Sequence, residues 1–210
     1  VLETGVLNNW VGIYFNSAST STVANAGAIT ATQAGITTSS GPVNVTNAST
    51  GTISSSASDA IRLGYGPSTI TNSGVITGST TGYGVNTTSG ATTVNNNAGT
   101  ISGGTAGLRM GLVSGTSYGG LLTVTNAAGA TGIETVGTGA LTLNNSGRVL
   151  GGANGAIVAN GSGAVSITNN AGGQIVASGG NAISSIGTAT ITNAGLIGNG
   201  TVDGGGVYTA

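Results

Sequence analysis

The chain has 210 residues, a formal net charge of −1, 42 glycines, only seven ionisable side chains among Arg, Asp and Glu, and no Cys, His or Lys. This composition excludes disulfides, thiolate or imidazole chemistry and the usual zinc ligand sets, and it offers no cluster of cations for nucleic acid. No apolar run approaches the ~18 residues of a membrane span, and Val1 opens neither a basic start nor an apolar signal core, as in a processed or excised segment.

In chain order, the first element surrounds Ile13 and brings Trp10, Tyr14 and Phe15 within six residues. From there one unit recurs. An aliphatic anchor sits directly behind Gly or Ala at Ile13, Ile36, Ile61, Val85, Leu108, Ile133, Ile157, Ile183 and Val207, at intervals of 23 to 26 residues. Between anchors, and in phase with them, a short apolar strand ends in Asn: Val23-Ala-Asn25, Val45-Thr-Asn47, Ile70-Thr-Asn72, Val94-Asn-Asn96, Val124-Thr-Asn126, Leu143-Asn-Asn145, Ile167-Thr-Asn169 and Ile191-Thr-Asn193. A third apolar position follows each bend, at Ile29, Ile53, Ile76, Ile101, Val149, Ile175 and Ile197. One fifth of the chain is Gly, which suggests a disordered tract, but a linker has no reason to hold Ile, Val and Leu in phase over nine units.

Alternation within each unit has period two, so the elements are half-buried strands, and helices have no periodic support. The fold expected is all-β: a right-handed parallel β-helix of about nine rungs of ~24 residues, three short strands per rung, forming a single domain over residues 1–210. Equivalent residues then stack about 4.8 Å apart in columns, where like charges repel and Thr, Ser or Asn bond to their own copies. Gly or Ala before each anchor suits a tight corner, and an inward Asn column forms an amide ladder. Asn also suits a left-handed bend. Counting in phase sets Arg109 beneath Glu134 as an exposed cross-strand ion pair.

The rhythm breaks once. Leu108 to Asn126 spans 18 residues and Asn126 to Ile133 only 7, which predicts a protruding segment near Gly115–Gly120 carrying Tyr118, then a shortened corner. Tyr118 is therefore a candidate binding-loop residue.

Catalysis finds no support. Glycoside hydrolysis needs two carboxyl groups within about 5–9.5 Å, whereas rung counting separates Asp59 from Glu134 by roughly 14 Å and from Asp203 by roughly 29 Å. Asp59 and Arg62 read as a solvent-exposed local ion pair. No catalytic residue, cofactor or metal ligand is assigned. The outward positions of the Asn-ending strands give a better candidate, two parallel columns of small hydrogen-bonding groups that include Thr69, Thr71, Thr123, Thr125, Thr168, Thr190 and Thr192. Such an uncharged face suits ordered water or ice, a glycan, or another rod.

The units Thr69-Ile-Thr-Asn-Ser-Gly-Val-Ile-Thr-Gly78 and Thr190-Ile-Thr-Asn-Ala-Gly-Leu-Ile-Gly198 resemble the repeats of bacterial autotransporter passenger domains, the β-helical stalks of type V secretion. The resemblance covers nearly the whole chain and implies an extracellular or cell-surface structural protein. It transfers no functional residue. Three readings follow: a non-catalytic passenger-like stalk for adhesion or self-association, a head-to-tail filament or sheath subunit, and an ice- or glycan-binding face. The filament reading makes Trp10, Tyr14, Phe15, Val207 and Tyr208 candidate end-stacking residues. The expected partners are further copies of the chain, side by side or end to end, and a host or surface glycan, with neither nucleic acid nor a membrane span in this segment.

Overall fold

A computed structural model of the chain describes residues 2–3, 6–88, 90–111, 121–126, 129–199 and 207–209. Among the described residues every named element is a strand, and every strand pairing is parallel. The chain coils as a β-solenoid with a repeat of about 24 residues, as the anchor spacing predicts.

Three faces make up the coil. The Asn-ending strands stack as one nine-stranded sheet, running through Ser21–Asn25, Val43–Asn47, Ser68–Asn72, Thr92–Asn96, Leu121–Asn126, Ala140–Asn145, Val165–Asn169 and Ala189–Asn193, with Leu2–Glu3 at its edge. The other two faces form a 16-stranded sheet that folds through the long strand Ala28–Thr38. One arm of it carries Thr52–Ser55 through Leu196–Asn199 and the other Ile61–Leu63 through Val207–Thr209.

The expectation of three short strands in all nine rungs needs correction at the start. About seven turns, from Val43–Asn47 onward, have three separate strands, whereas Val6–Phe15 and Ala28–Thr38 each run unbroken across two faces. The reason is local. Residues 56–60 read Ser-Ala-Ser-Asp-Ala and make a corner, but the equivalent stretch Thr32-Gln-Ala-Gly35 is one residue shorter and lacks Ser, Asp and Asn, so pairing continues through it. A register shift between Asn9 and Val11 is the only irregularity in the pairing of the two long strands.

The inside is lined by the predicted apolar columns. Ile29, Ile53, Ile76, Ile101, Val149 and Ile175 are buried from one face, and the anchors Ile36, Ile61, Val85, Leu108, Ile133, Ile157 and Ile183 from another. Each fully buried aliphatic side chain contributes roughly 1.5–3 kcal/mol, which is how a coil with no wide globular core stays folded. The corner position before the anchors admits at most a methyl: Ala60, Ala156 and Ala182 are fully buried. At Gly35 a Cβ would lie 2.8 Å from Ile53 Cγ2 and 2.9 Å from the Ala60 carbonyl oxygen.

The inward Asn column is an amide ladder. Asn25 Nδ2 donates to Asn47 Oδ1 at 2.8 Å, Asn47 to Asn72 at 2.9 Å, and Asn72 to Asn96 at 2.9 Å. Further along, Asn145 donates to Asn169 and Asn169 to Asn193, both at 2.8 Å. The same Nδ2 groups also donate to bend carbonyls, as Asn47 does to Gly51 and Val75. The Asn that ends each strand therefore serves from inside the coil, tying one bend to the next. At the first rung the register sets Glu3, not an Asn, opposite Asn25, and the buried Asn25 Oδ1 has no donor among the described residues.

Candidate functional site

Four places bear on function: the outward face of the Asn sheet, the Asp59 corner, the Arg109–Glu134 column and a notch beside it. On the first, alternation holds as predicted. In Val43–Asn47 and Val165–Asn169 the pattern is buried, exposed, buried, exposed, buried. Thr168, Thr190 and Thr192 are exposed and Thr69 and Thr71 half-buried, on a face whose outward side chains are all uncharged. Register aligns Thr69 with Thr93, Thr71 with Asn95, and Thr168 with Thr192, so the columns run straight across rungs. Thr123 and Thr125 take their places in the same two columns by backbone register, between Thr93 and Thr142 and between Asn95 and Asn144. Their side chains and that of Tyr208 lie outside the described set, and Tyr118 lies outside the described residues altogether.

The aromatic start is less uniform than its sequence suggests. Trp10 and Tyr14 are exposed, but Phe15 packs against the core. Val207 is exposed, in a strand paired with Ile183–Ser185.

Asp59 differs from the expected surface ion pair because it is buried. Its Oδ2 accepts from Arg62 Nε at 3.0 Å and Asn86 Nδ2 at 2.9 Å, and its Oδ1 from the Tyr83 backbone N–H at 3.0 Å. The carboxylate is thus a staple between one corner and the next rung. Desolvation is offset by three donors, with Arg62 itself reaching solvent and also donating to Ser58 Oγ.

Arg109 and Glu134 stand in register on adjacent strands, as counted, with Nε and Oε2 3.7 Å apart. They are not fully exposed, however: side-chain exposures are 19% and 24%. The Arg109 guanidinium lies 4.9 Å from the centroid of the Tyr83 ring, a cation–π contact. Burial, and next the Glu134 carboxylate, push the Tyr83 phenol above its ordinary value, partly opposed by Arg109. No acceptor among the described residues reaches hydrogen-bond distance of the buried Arg109 Nε.

Beside this cluster the corner between the second and third faces is cut short. Gly132 alone separates Gly129–Thr131 from Ile133–Thr135, whereas residues 152–156 separate Arg148–Gly151 from Ile157–Ala159 in the next rung. The linker turns within one residue, at φ 52°, in the left-handed region. Omission of one corner leaves a gap about two strand spacings, or roughly 10 Å, between the corners on either side. The result is a cleft of about 450 Å³. Ala106, Gly132 and Glu134 form its floor, residues 103–105 one wall, and residues 150–155 with Asn160 the other. The sequence carried its signal in the short Asn126 to Ile133 interval, but a count of residues does not reveal a void bounded by longer corners above and below.

Among the described residues no group of three or more His, Cys, Asp or Glu gathers to hold a metal ion. The molecule is thereby defined as a parallel β-solenoid. No protein-family model matches the chain, and no curated protein or solved structure does so either.

Proposed function

We propose that this chain is a non-catalytic structural rod of a bacterial cell surface or secretion product, a passenger-like stalk that serves adhesion or self-association. The observation that carries the reading is the outward face of the Asn sheet: two columns of Thr, Ser, Asn and a single Ala, without a charge, held in straight register from Thr22 and Ala24 to Thr190 and Thr192. Uncharged strands in register meet a second such face without desolvating an ion, and each hydroxyl finds a partner at the same 4.8 Å repeat. The buried amide ladder behind the face gives the stiffness that a stalk needs.

The test is lateral association of the purified rod, followed by sedimentation velocity and electron microscopy. Thr71→Trp, Thr168→Trp and Thr192→Trp together place bulky side chains on the face while leaving the inward columns untouched. Loss of association with an unchanged far-ultraviolet circular dichroism spectrum is the expected result. Association that survives all three changes removes the face from consideration.

A further inference from the structure

We propose that the notch at the shortened corner is a binding site for a neutral, hydroxyl-rich saccharide, separate from the Thr and Asn face and independent of the stalk reading. Its volume of about 450 Å³ falls within the range of small-ligand sites, which run from roughly 300 to 1,000 Å³. The chemistry of its lining selects the class. Glu134 supplies a carboxylate acceptor, Asn154 and Asn160 supply amides that both donate and accept, and Thr105, whose hydroxyl donates to the Thr81 carbonyl, supplies a further acceptor oxygen. Vicinal hydroxyls, each at once donor and acceptor, match such a set.

Charge narrows the choice. Glu134 disfavours an anion in the cleft, and Arg109, 3.7 Å away, already offsets the carboxylate and so removes the pull on a cation. The backbone agrees with this. In the longer corners N–H groups bond back to the preceding rung, as Ser79 does to Ser58 and Gly104 to Ser79. Across the notch that preceding corner is missing: Gly152 is bridged within its own corner to Gly155, and no backbone acceptor among the described residues pairs the N–H groups of Ala153 and Asn154. One wall of the cleft thus offers donors to a ligand that takes the place of the omitted corner.

The experiment is titration of the isotopically labelled full chain with glucose, galactose, N-acetylglucosamine and lactose, read by amide chemical shifts. Sialyllactose serves as the charged counterpart. Saturable shifts at Asn154 and Asn160 with at least one neutral sugar, and weaker binding of sialyllactose than of lactose, are expected. Glu134→Gln should weaken binding about tenfold, the loss of one charge-assisted hydrogen bond. Gly152→Phe should abolish it: Gly152 lines the cleft, and a Cβ there meets nothing within 4 Å, so the fold has room for a ring at the cleft wall. Asn154→Ala gives a second, smaller change with the same expected direction. Absence of saturable shifts with every sugar would overturn the proposal, as would shifts centred on Thr168 and Thr192. It would equally be overturned if the peptide Gly-Ala-Asn-Gly-Ala, the corner that the neighbouring rung possesses, saturated the notch while the sugars did not.

Discussion

Replacing Asn47 by Ala separates the ladder from every other source of strand stability. The side chain is buried, donates from Nδ2 to Asn72 Oδ1 at 2.9 Å, Gly51 O at 3.1 Å and Val75 O at 3.2 Å, and accepts from Asn25 Nδ2 at 2.8 Å. Loss of these bonds is unequal in effect. Gly51 O keeps the Val75 backbone N–H, and Asn25 Nδ2 keeps Thr52 O, but Asn72 Oδ1 is left buried without a donor. At about 1 kcal/mol for each of the two amide–amide bonds and 1–3 kcal/mol for the orphaned buried acceptor, the cost is about 3–5 kcal/mol. Asn44→Ala, on the same strand but outward and exposed, is the control and should cost no more than about 0.5 kcal/mol. Urea unfolding followed by circular dichroism gives both numbers, compared at equal denaturant slope. The double change of Asn47 and Asn72 should cost less than the sum of the single changes by about 2 kcal/mol or more, because the two share one bond and the acceptor orphaned by Asn47→Ala is gone. An Asn47→Ala variant as stable as Asn44→Ala would refute the argument that the inward amides hold the bends together.

Three further outcomes follow from the same geometry. Gly104→Ala should destabilise by about 2 kcal/mol or more, since a Cβ there collides with the Thr80 carbonyl, while Gly152→Ala should be neutral or slightly stabilising; thermal unfolding distinguishes them. Asp59→Ala removes the acceptor of Arg62, Asn86 and the Tyr83 N–H and should cost about 2–3 kcal/mol by urea unfolding. Because the folded state raises the Tyr83 pKa, it holds the phenolic proton more tightly than the unfolded chain does. The associated stability is complete below the unfolded value of about 10 and is lost as pH rises through the folded one. Unfolding midpoints measured from neutral to strongly alkaline pH should therefore fall more steeply for the native chain than for Tyr83→Phe.

The sheets were legible because each rung repeats the same solution. Val45, Ile70 and Val94 occupy one inward column and Asn47, Asn72 and Asn96 another, so phase alone yields burial, register and the amide ladder. Arg109 beneath Glu134 came from the same counting. What phase does not carry is the difference between one rung and its neighbours. Asp59 looks like a surface acid beside Arg62 until Asn86 and the Tyr83 N–H arrive from the rung above and enclose it. The unbroken strands Val6–Phe15 and Ala28–Thr38 carry the same apolar spacing as rungs that break; only their missing corner residues tell them apart. The notch lies further still from the sequence, because its walls belong to rungs that are themselves regular.

That notch also shows where such a molecule can change without unfolding. Across the shortened rung both neighbouring ladders remain intact: Ile101 pairs with Ala130 and Ala130 with Val149, and Leu108 pairs with Ile133 and Ile133 with Ile157. Leu108, Ile133 and Ile157 all stay buried, so removal of a corner costs the coil none of that apolar column, while the neighbouring column keeps its register with the smaller Ala130 between Ile101 and Val149. Strand pairing and side-chain stacking fix the rise of each turn, and the corners are free to lengthen or shorten around them. A site made by shortening a corner therefore needs one residue that turns sharply, here Gly132, and no compensating change in the sheets. Chemistry on this chain is accordingly sought at corners that depart from the common length, while the straight columns of Thr and Asn supply a surface that is the same at every rung.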